Sequence, residues 1–450
     1  MRCKVTSAKV VTMGTFRGTA ELAWRWVLNE VREDDDGIWI PEFPGGDLPP
    51  EWRASTYAGV GGLAHVLAEI RLVRAWTARE EELAETITAR VRANRSGEPS
   101  FFNGLVSSIS VLTALDVAGA DDVVARLLDL ATPDGWAHER FGPPRYHEGA
   151  RVHDLTVGTA GVLLGAVWAH RHGVTGAREL AGLAADVLLA EREEVPGGLN
   201  WRTVPVRFCL AQREFPNFSH GLAGVATALA LGGAEFGRAD LVTAAAAGAE
   251  HLVSLGDTSD GGFRVPVRIP AIPEVEGFSY GWCHGPTGTS LLWPALRHAG
   301  VSEVAGVDVG EWRRRSLHSV VVSGLPERKY PGFWDNDGRC CGTAGVGDVL
   351  LDSGQHTDFA LRLADVVVDH AVRDGAGVCW RFLEHRDDDP VLPPGIGWMQ
   401  GAAGIAGFLF HADRVADGDA RSVPRIDTWW AQDTSSAASP VPGRASSRCR

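Results

Sequence analysis

Lysine is almost missing from this 450-residue chain: Lys4, Lys9 and Lys329 are the only three, so nearly all positive charge is arginine. Positive charge is also in deficit overall, with a formal net charge of −14. That balance argues against a nucleic-acid partner, whose binders carry a basic excess or stripe. No run reaches the roughly 18 uncharged apolar residues that a membrane span needs. The N-terminal MRCKVTSAKVVTMGTFRG has no sustained apolar stretch, so it does not read as a secretory signal and a cytoplasmic location is expected. Cysteine is sparse and odd in number, seven in all. In a large chain read as lacking a signal this is not a disulfide framework, and metal binding or nucleophilic chemistry is the better use for any cysteines that cluster. No linker rich in Pro, Gly or Ser divides the chain, and 45% hydrophobic residues supply a sizeable core.

What the chain does have is a repeat. A loop with Gly-x-x-Gly leads at once into an apolar helical pattern, beginning at Gly59, Gly104, Gly158, Gly221, Gly285, Gly342 and Gly401. Only the second copy lacks the second glycine and carries Ser107 instead. Successive copies start 45 to 64 residues apart, which leaves room for two helices and their connections. Second helical patterns do lie between copies, as in ARELAGLAADVLLAERE near 177–193 and ADLVTAAAAGAEHLVSL near 239–255. Seven helix pairs predict an all-α architecture, an α/α toroid whose inner helices are opened by the Gly-x-x-Gly loops. Glycine there permits tight turns and close approach at a crowded centre. The expected organisation is one toroid domain over 1–431 and a disordered tail over 432–450, whose DTSSAASPVPGRASSRCR is poor in core-forming residues. Segments 195–217 and 259–280 read as loops or short strands over one face.

In a ring of equivalent units, the two residues before each first glycine converge on one mouth. Copies four to six place Ser219-His220, Cys283-His284 and Cys340-Cys341 there, while the others offer Tyr57-Ala58, Phe102-Asn103, Thr156-Val157 and Met399-Gln400. Every soft or imidazole ligand at these positions therefore falls in three consecutive units. Cys283, Cys340 and Cys341 make a three-thiolate zinc set with a fourth position open or shared, because tetrahedral zinc prefers sulfur and imidazole. Buried structural cysteine is the competing reading. His284 has three readings: fourth ligand of a structural site, acid/base beside the metal, or loop histidine without chemistry.

The motif series PNFSHGLAG (216–224), GWCHGPTG (281–288) and CCGTAG (340–345) resembles that of LanC-like lanthionine synthetases, and the resemblance runs through all seven copies, about Gly18 to Ala416. These are seven-fold α/α-toroid cyclases that act on peptides containing dehydroalanine or dehydrobutyrine. The resemblance implies a zinc ion held by Cys283, Cys340 and Cys341, in the family's three-cysteine variant, since histidine more often stands where Cys341 does. It implies His220 as the active-site histidine, and Asp154 in HDLTVGTAG as the acidic residue near it. The sequence departs from the family pattern at two other places: His284 follows the first cysteine where tyrosine is common, and Ser279 stands where an arginine often precedes it.

The implied reaction adds a substrate cysteine thiol to the β-carbon of a dehydro residue, with His220 moving a proton and Asp154 orienting it. Read apart from the family, His220 is a helix-start histidine bonded to backbone and Asp154 an N-terminal cap. The implied partner is a dehydrated precursor peptide. No kinase motif series is present, so a separate dehydratase and an exporter are expected partners. Three rivals stand beside this reading: a transferase joining an external thiol such as glutathione to dehydro residues, a noncatalytic peptide-binding toroid with structural zinc, and a prenyltransferase-like toroid, for which no basic diphosphate site is evident.

Overall fold

The computed structural model describes residues 15–138, 141–209, 213–272, 277–327, 336–384, 388–419 and 421–432. The expected tail therefore lies, beyond Gln432, outside the described residues. Each Gly-x-x-Gly loop opens an inner helix: Leu63–Val73, Leu105–Ala114, Thr159–Arg171, Leu222–Phe236, Pro286–Thr289 continued by Leu292–His298, Thr343–Ser353 and Ala402–Ala416. The fifth is interrupted at Ser290-Leu291. Pro294 explains the break, because its ring crowds the carbonyl four residues back, that of Ser290, and it has no N–H to donate.

Burial separates inner from outer helices. All residues of Leu222–Gly233 and of Thr159–Ala169 are buried, as expected for helices that are apolar all round. The helix Ala177–Ala190 instead buries Ala177, Leu180, Ala181, Ala184, Ala185, Val187 and Leu188, one stripe at helical spacing. Phe16–Asn29, Ala78–Ala93, Ala120–Asp129, Ala239–Ser254, Val309–Val321 and Thr357–Asp369 complete the outer layer. Inner helices touch in sequence order, and the last packs on the first. The N-terminal helix lies along Ala402–Ala416, where Arg17 pairs with Asp413 at 2.6 Å. Five two-stranded antiparallel hairpins are present among the described residues. One of them, Glu193–Val195 with Gly198–Asn200, falls at the edge of the segment 195–217 expected as loops or short strands.

The ring closes through its backbone as well. Thr156 N–H donates to Ser219 O (3.0 Å), Ser219 to Cys283 (3.0 Å), Cys283 to Cys340 (3.2 Å), Cys340 to Met399 (2.8 Å), Met399 to Tyr57 (3.0 Å) and Tyr57 to Phe102 (3.1 Å). Phe101 N–H returns to Thr156 O at 3.0 Å. These are the positions two before each first glycine, with one slip from Phe102 to Phe101. Seven loops are thus stitched into a circle at one mouth of the toroid.

The glycines serve close approach here, since the first glycines have extended backbone. A Cβ on Gly224 would lie 2.0 Å from Phe218 O, and one on Gly288 only 1.8 Å from Trp282 O. The second glycine thus admits the carbonyl six residues earlier, just ahead of the mouth residue. Gly288→Ala is expected to destabilise the protein by about 1–3 kcal/mol, the usual cost of overpacking, and thermal unfolding of the variant checks it.

The far end of the ring is plugged by the segment 421–432. Arg425, 2% exposed, reaches Asp348 and Asp352 at 2.6 Å each and Glu69 at 3.3 Å. Asp348 also holds Arg339 at 2.6 Å and His411 Nδ1 at 2.8 Å. Trp430 Nε1 donates to Leu291 O at 2.9 Å. Burying so many charges is tolerable only because each meets an opposite partner.

Candidate metal centre

The backbone circle makes Cys283 and Cys340 neighbours, and Cys341 follows on the same loop. The three Sγ atoms lie within 4.8 Å of one another, with Cys283 to Cys341 at 3.2 Å and Cys341 to Cys340 at 3.3 Å. Zinc at about 2.3 Å from each sulfur sets tetrahedral ligands about 3.8 Å apart, so an outward shift of a few tenths of an ångström accommodates such an ion. The donor set therefore fits a thiophilic metal. His284 does not join it: among the described residues, the group of donor atoms this close comprises the three cysteines alone. Hydrogen bonds from Cys283 and Cys341 hold the Cys340 thiol well below its ordinary range, against the opposing effect of burial, with a further contribution from Tyr57. The same sharing pushes Cys341 up. Cys283 is raised as well, chiefly by Cys340.

Beside the sulfurs stands His220. Its Nδ1 lies 2.8 Å from Asp154 Oδ2, and its carbonyl accepts from the Thr203 hydroxyl. Asp154 is fully buried and divides its oxygens between two tasks. Oδ1 accepts the N–H groups of Val157 (2.8 Å) and Gly158 (3.1 Å), while Oδ2 meets the imidazole. Asp154 therefore caps the loop backbone and contacts the imidazole at the same time. The recess penalises a charged imidazole, but the Asp154 carboxylate outweighs this and raises the His220 pKa above the ordinary value. His284 has the opposite balance. Burial, then the neighbouring His220, lowers its pKa to about 4, so it is neutral near pH 7. Its ring centre lies 5.6 Å from that of His220 and 6.0 Å from that of Phe215.

His220, His284 and Asp154 line a cleft of about 670 Å³ whose outer wall includes Phe141, Arg145, Tyr146, Arg213 and Phe215. Arg213 and Phe215 belong to the segment expected as loops or short strands over one face, but no sequence signal linked that segment to 141–146. Tyr57 and Gln400 are also close to the site. They occupy mouth positions in the first and last copies, and Gln400 Nε2 donates to Tyr57 Oη at 2.9 Å. Position within the repeat was the available signal for them.

A family model described as lanthionine synthetase C-like protein matches residues 50–428. The chain belongs to the lanthionine synthetase C-like family. Among solved structures, this family member is similar to a nisin cyclase, with a TM-score of 0.55 and 13% identity over 92% of this chain and 95% of that one. It also resembles the Lin0763 protein from Listeria innocua, with a TM-score of 0.49 and 10% identity over 90% and 99% of the two chains. At such identity the nisin cyclase likeness establishes the shared α/α-toroid fold of this lanthionine synthetase C-like chain. No curated protein matches its sequence. None of its helices, among the described residues, is long and apolar enough to cross a membrane.

Proposed function

We propose that this chain is a zinc-dependent peptide cyclase that adds cysteine thiols to dehydroalanine or dehydrobutyrine, forming thioether rings in a dehydrated precursor peptide. The observation that carries this reading is the three-cysteine cluster at the mouth beside the His220–Asp154 pair, two residues that line a cleft roomy enough for a peptide. Cys283, Cys340 and Cys341 are the proposed ligands. A zinc ion held by them supplies the charge that keeps a substrate thiol deprotonated near neutral pH.

The remaining work falls to the protein. The aromatic and apolar wall holds the peptide so that its sulfur faces the β-carbon of the dehydro residue. Formation of the C–S bond moves the alkene electron pair toward the α-carbon and its carbonyl. His220 then returns a proton to the α-carbon, so that S–H has been added across C=C with no leaving group and no redox change. With Nδ1 turned to Asp154, Nε2 is the nitrogen available for that transfer. His284, neutral and packed between His220 and Phe215, shapes the site and does not compete for the proton.

Ring closure of a synthetic peptide containing dehydroalanine and cysteine, read by mass spectrometry with a thiol-blocking reagent, tests the proposal. A blocked thiol after incubation with zinc-loaded protein would sink it. The same assay with glutathione and a cysteine-free peptide separates cyclisation from external thiol addition.

The pH profile supplies a second check. His220 donates only while protonated, so its raised pKa keeps kcat/KM high to a higher pH than an ordinary imidazole allows, and activity falls as pH rises through that pKa. Asp154→Asn removes the carboxylate that raises it. The alkaline limb of the kcat/KM profile is expected to move to lower pH.

A further inference from the structure

The cleft wall opposite His220 carries an electrostatic feature that the cyclisation chemistry does not use. In a chain with a net charge of −14, this wall presents two arginines, Arg145 and Arg213. Neither pairs with a carboxylate among the described residues. The side chain of Arg213 donates to Tyr146 Oη at 3.2 Å, and its guanidinium lies 5.7 Å from the centre of the Phe215 ring. Arg145 is exposed. Asp154, the carboxylate of the cleft lining, is fully buried and already accepts from His220, Val157 and Gly158. These partners all lie on the inner side of the cleft, and Asp154 makes no ion pair with either arginine.

The wall is also built. His147 N–H donates to Phe208 O at 2.9 Å and Tyr146 forms a bridge with Cys209, which fixes the segment bearing Arg145, and the Tyr146 hydroxyl in turn accepts from Arg213. From Arg213 the side chains run in series through Phe215 and His284 to His220.

We infer that Arg145 and Arg213 form a carboxylate-recognition site that selects peptides with acidic residues near the reacting position. This rests on the cyclase reading for the identity of the ligand as a peptide. The series of rings fixes the range: Arg213 is reached by side chains within about five extended residues of the dehydro residue. Planar guanidinium suits this task, since its fork matches a carboxylate. The overall negative charge makes the site selective, because an acidic peptide is repelled elsewhere on the surface and attracted at this wall.

The test uses two fluorescein-labelled dehydroalanine peptides, identical except for two Glu or two Gln within five residues of the dehydroalanine. Binding to the full-length protein is read by anisotropy at low and at raised salt. The Glu peptide is expected to bind about tenfold more tightly at low salt, with the advantage shrinking as salt rises. The double variant Arg145→Gln/Arg213→Gln is expected to bind the Gln peptide as wild type does and to lose the preference. Equal binding of the two peptides by wild type, no binding of either, or a preference that survives in the double variant would overturn the inference. Ring closure is not part of this readout. A Glu preference without ring formation would refute the cyclase reading alone, and ring formation without the preference would refute the carboxylate site alone.

Discussion

His220→Asn is expected to slow ring closure by about 10²–10⁴-fold, the range a positioned general acid contributes. Asparagine preserves polarity and approximate reach but offers no titrating proton. The metal should be unaffected, because the three sulfurs are held by their own loops and by the Cys283 N–H to Cys340 O bond. Measured zinc content equal to wild type, together with the lost rate, would place the defect in proton transfer. A variant that closes rings at the wild-type rate would remove His220 from the mechanism and return it to the reading of a helix-start histidine.

Cys341→Ala is expected to strip the metal. Loss of an outer-shell partner commonly weakens a site by about 10–100-fold, and removing one of three protein ligands should exceed that. Zinc content per chain, with sulfur coordination read by X-ray absorption, checks both parts. Wild type should hold about one zinc per chain with three protein sulfurs and no imidazole, because His284 lies outside the cysteine group. An imidazole in the shell would favour a closed, structural site and the peptide-binding reading. A zinc-free wild type would remove the proposed chemistry and leave the toroid.

Much of the candidate site was legible because the architecture repeats. Positions two and one before each first glycine were expected to share a mouth, and the backbone circle through Cys283, Cys340, Met399 and Tyr57 places them there. The closeness of the three sulfurs follows from that equivalence. Asp154 was legible only through family resemblance, because by itself it resembles a cap, and it does cap. The meaning of His284 was not legible. The sequence left it as fourth ligand, acid/base or loop histidine, and only the fold shows its ring beside those of His220 and Phe215.

By itself the sequence determined the helix pairs, their sevenfold repetition and the mouth residues, because these depend on local period and spacing. Inner helices such as Thr159–Arg171 and Leu222–Phe236 are buried on all sides over most of their length, whereas an outer one such as Ala177–Ala190 buries a stripe. Tertiary structure alone decided what fills the ring and what walls the cleft. The plug brings Arg425 to Glu69 across 356 residues, where Arg414 of the last inner helix reaches the same carboxylate, and no period announces such pairs. The cleft joins 141–146 to 213–215 across two copies of the repeat. These are contacts between unlike segments, set by which charges and rings meet once the circle has closed, so a pattern along one chain does not contain them.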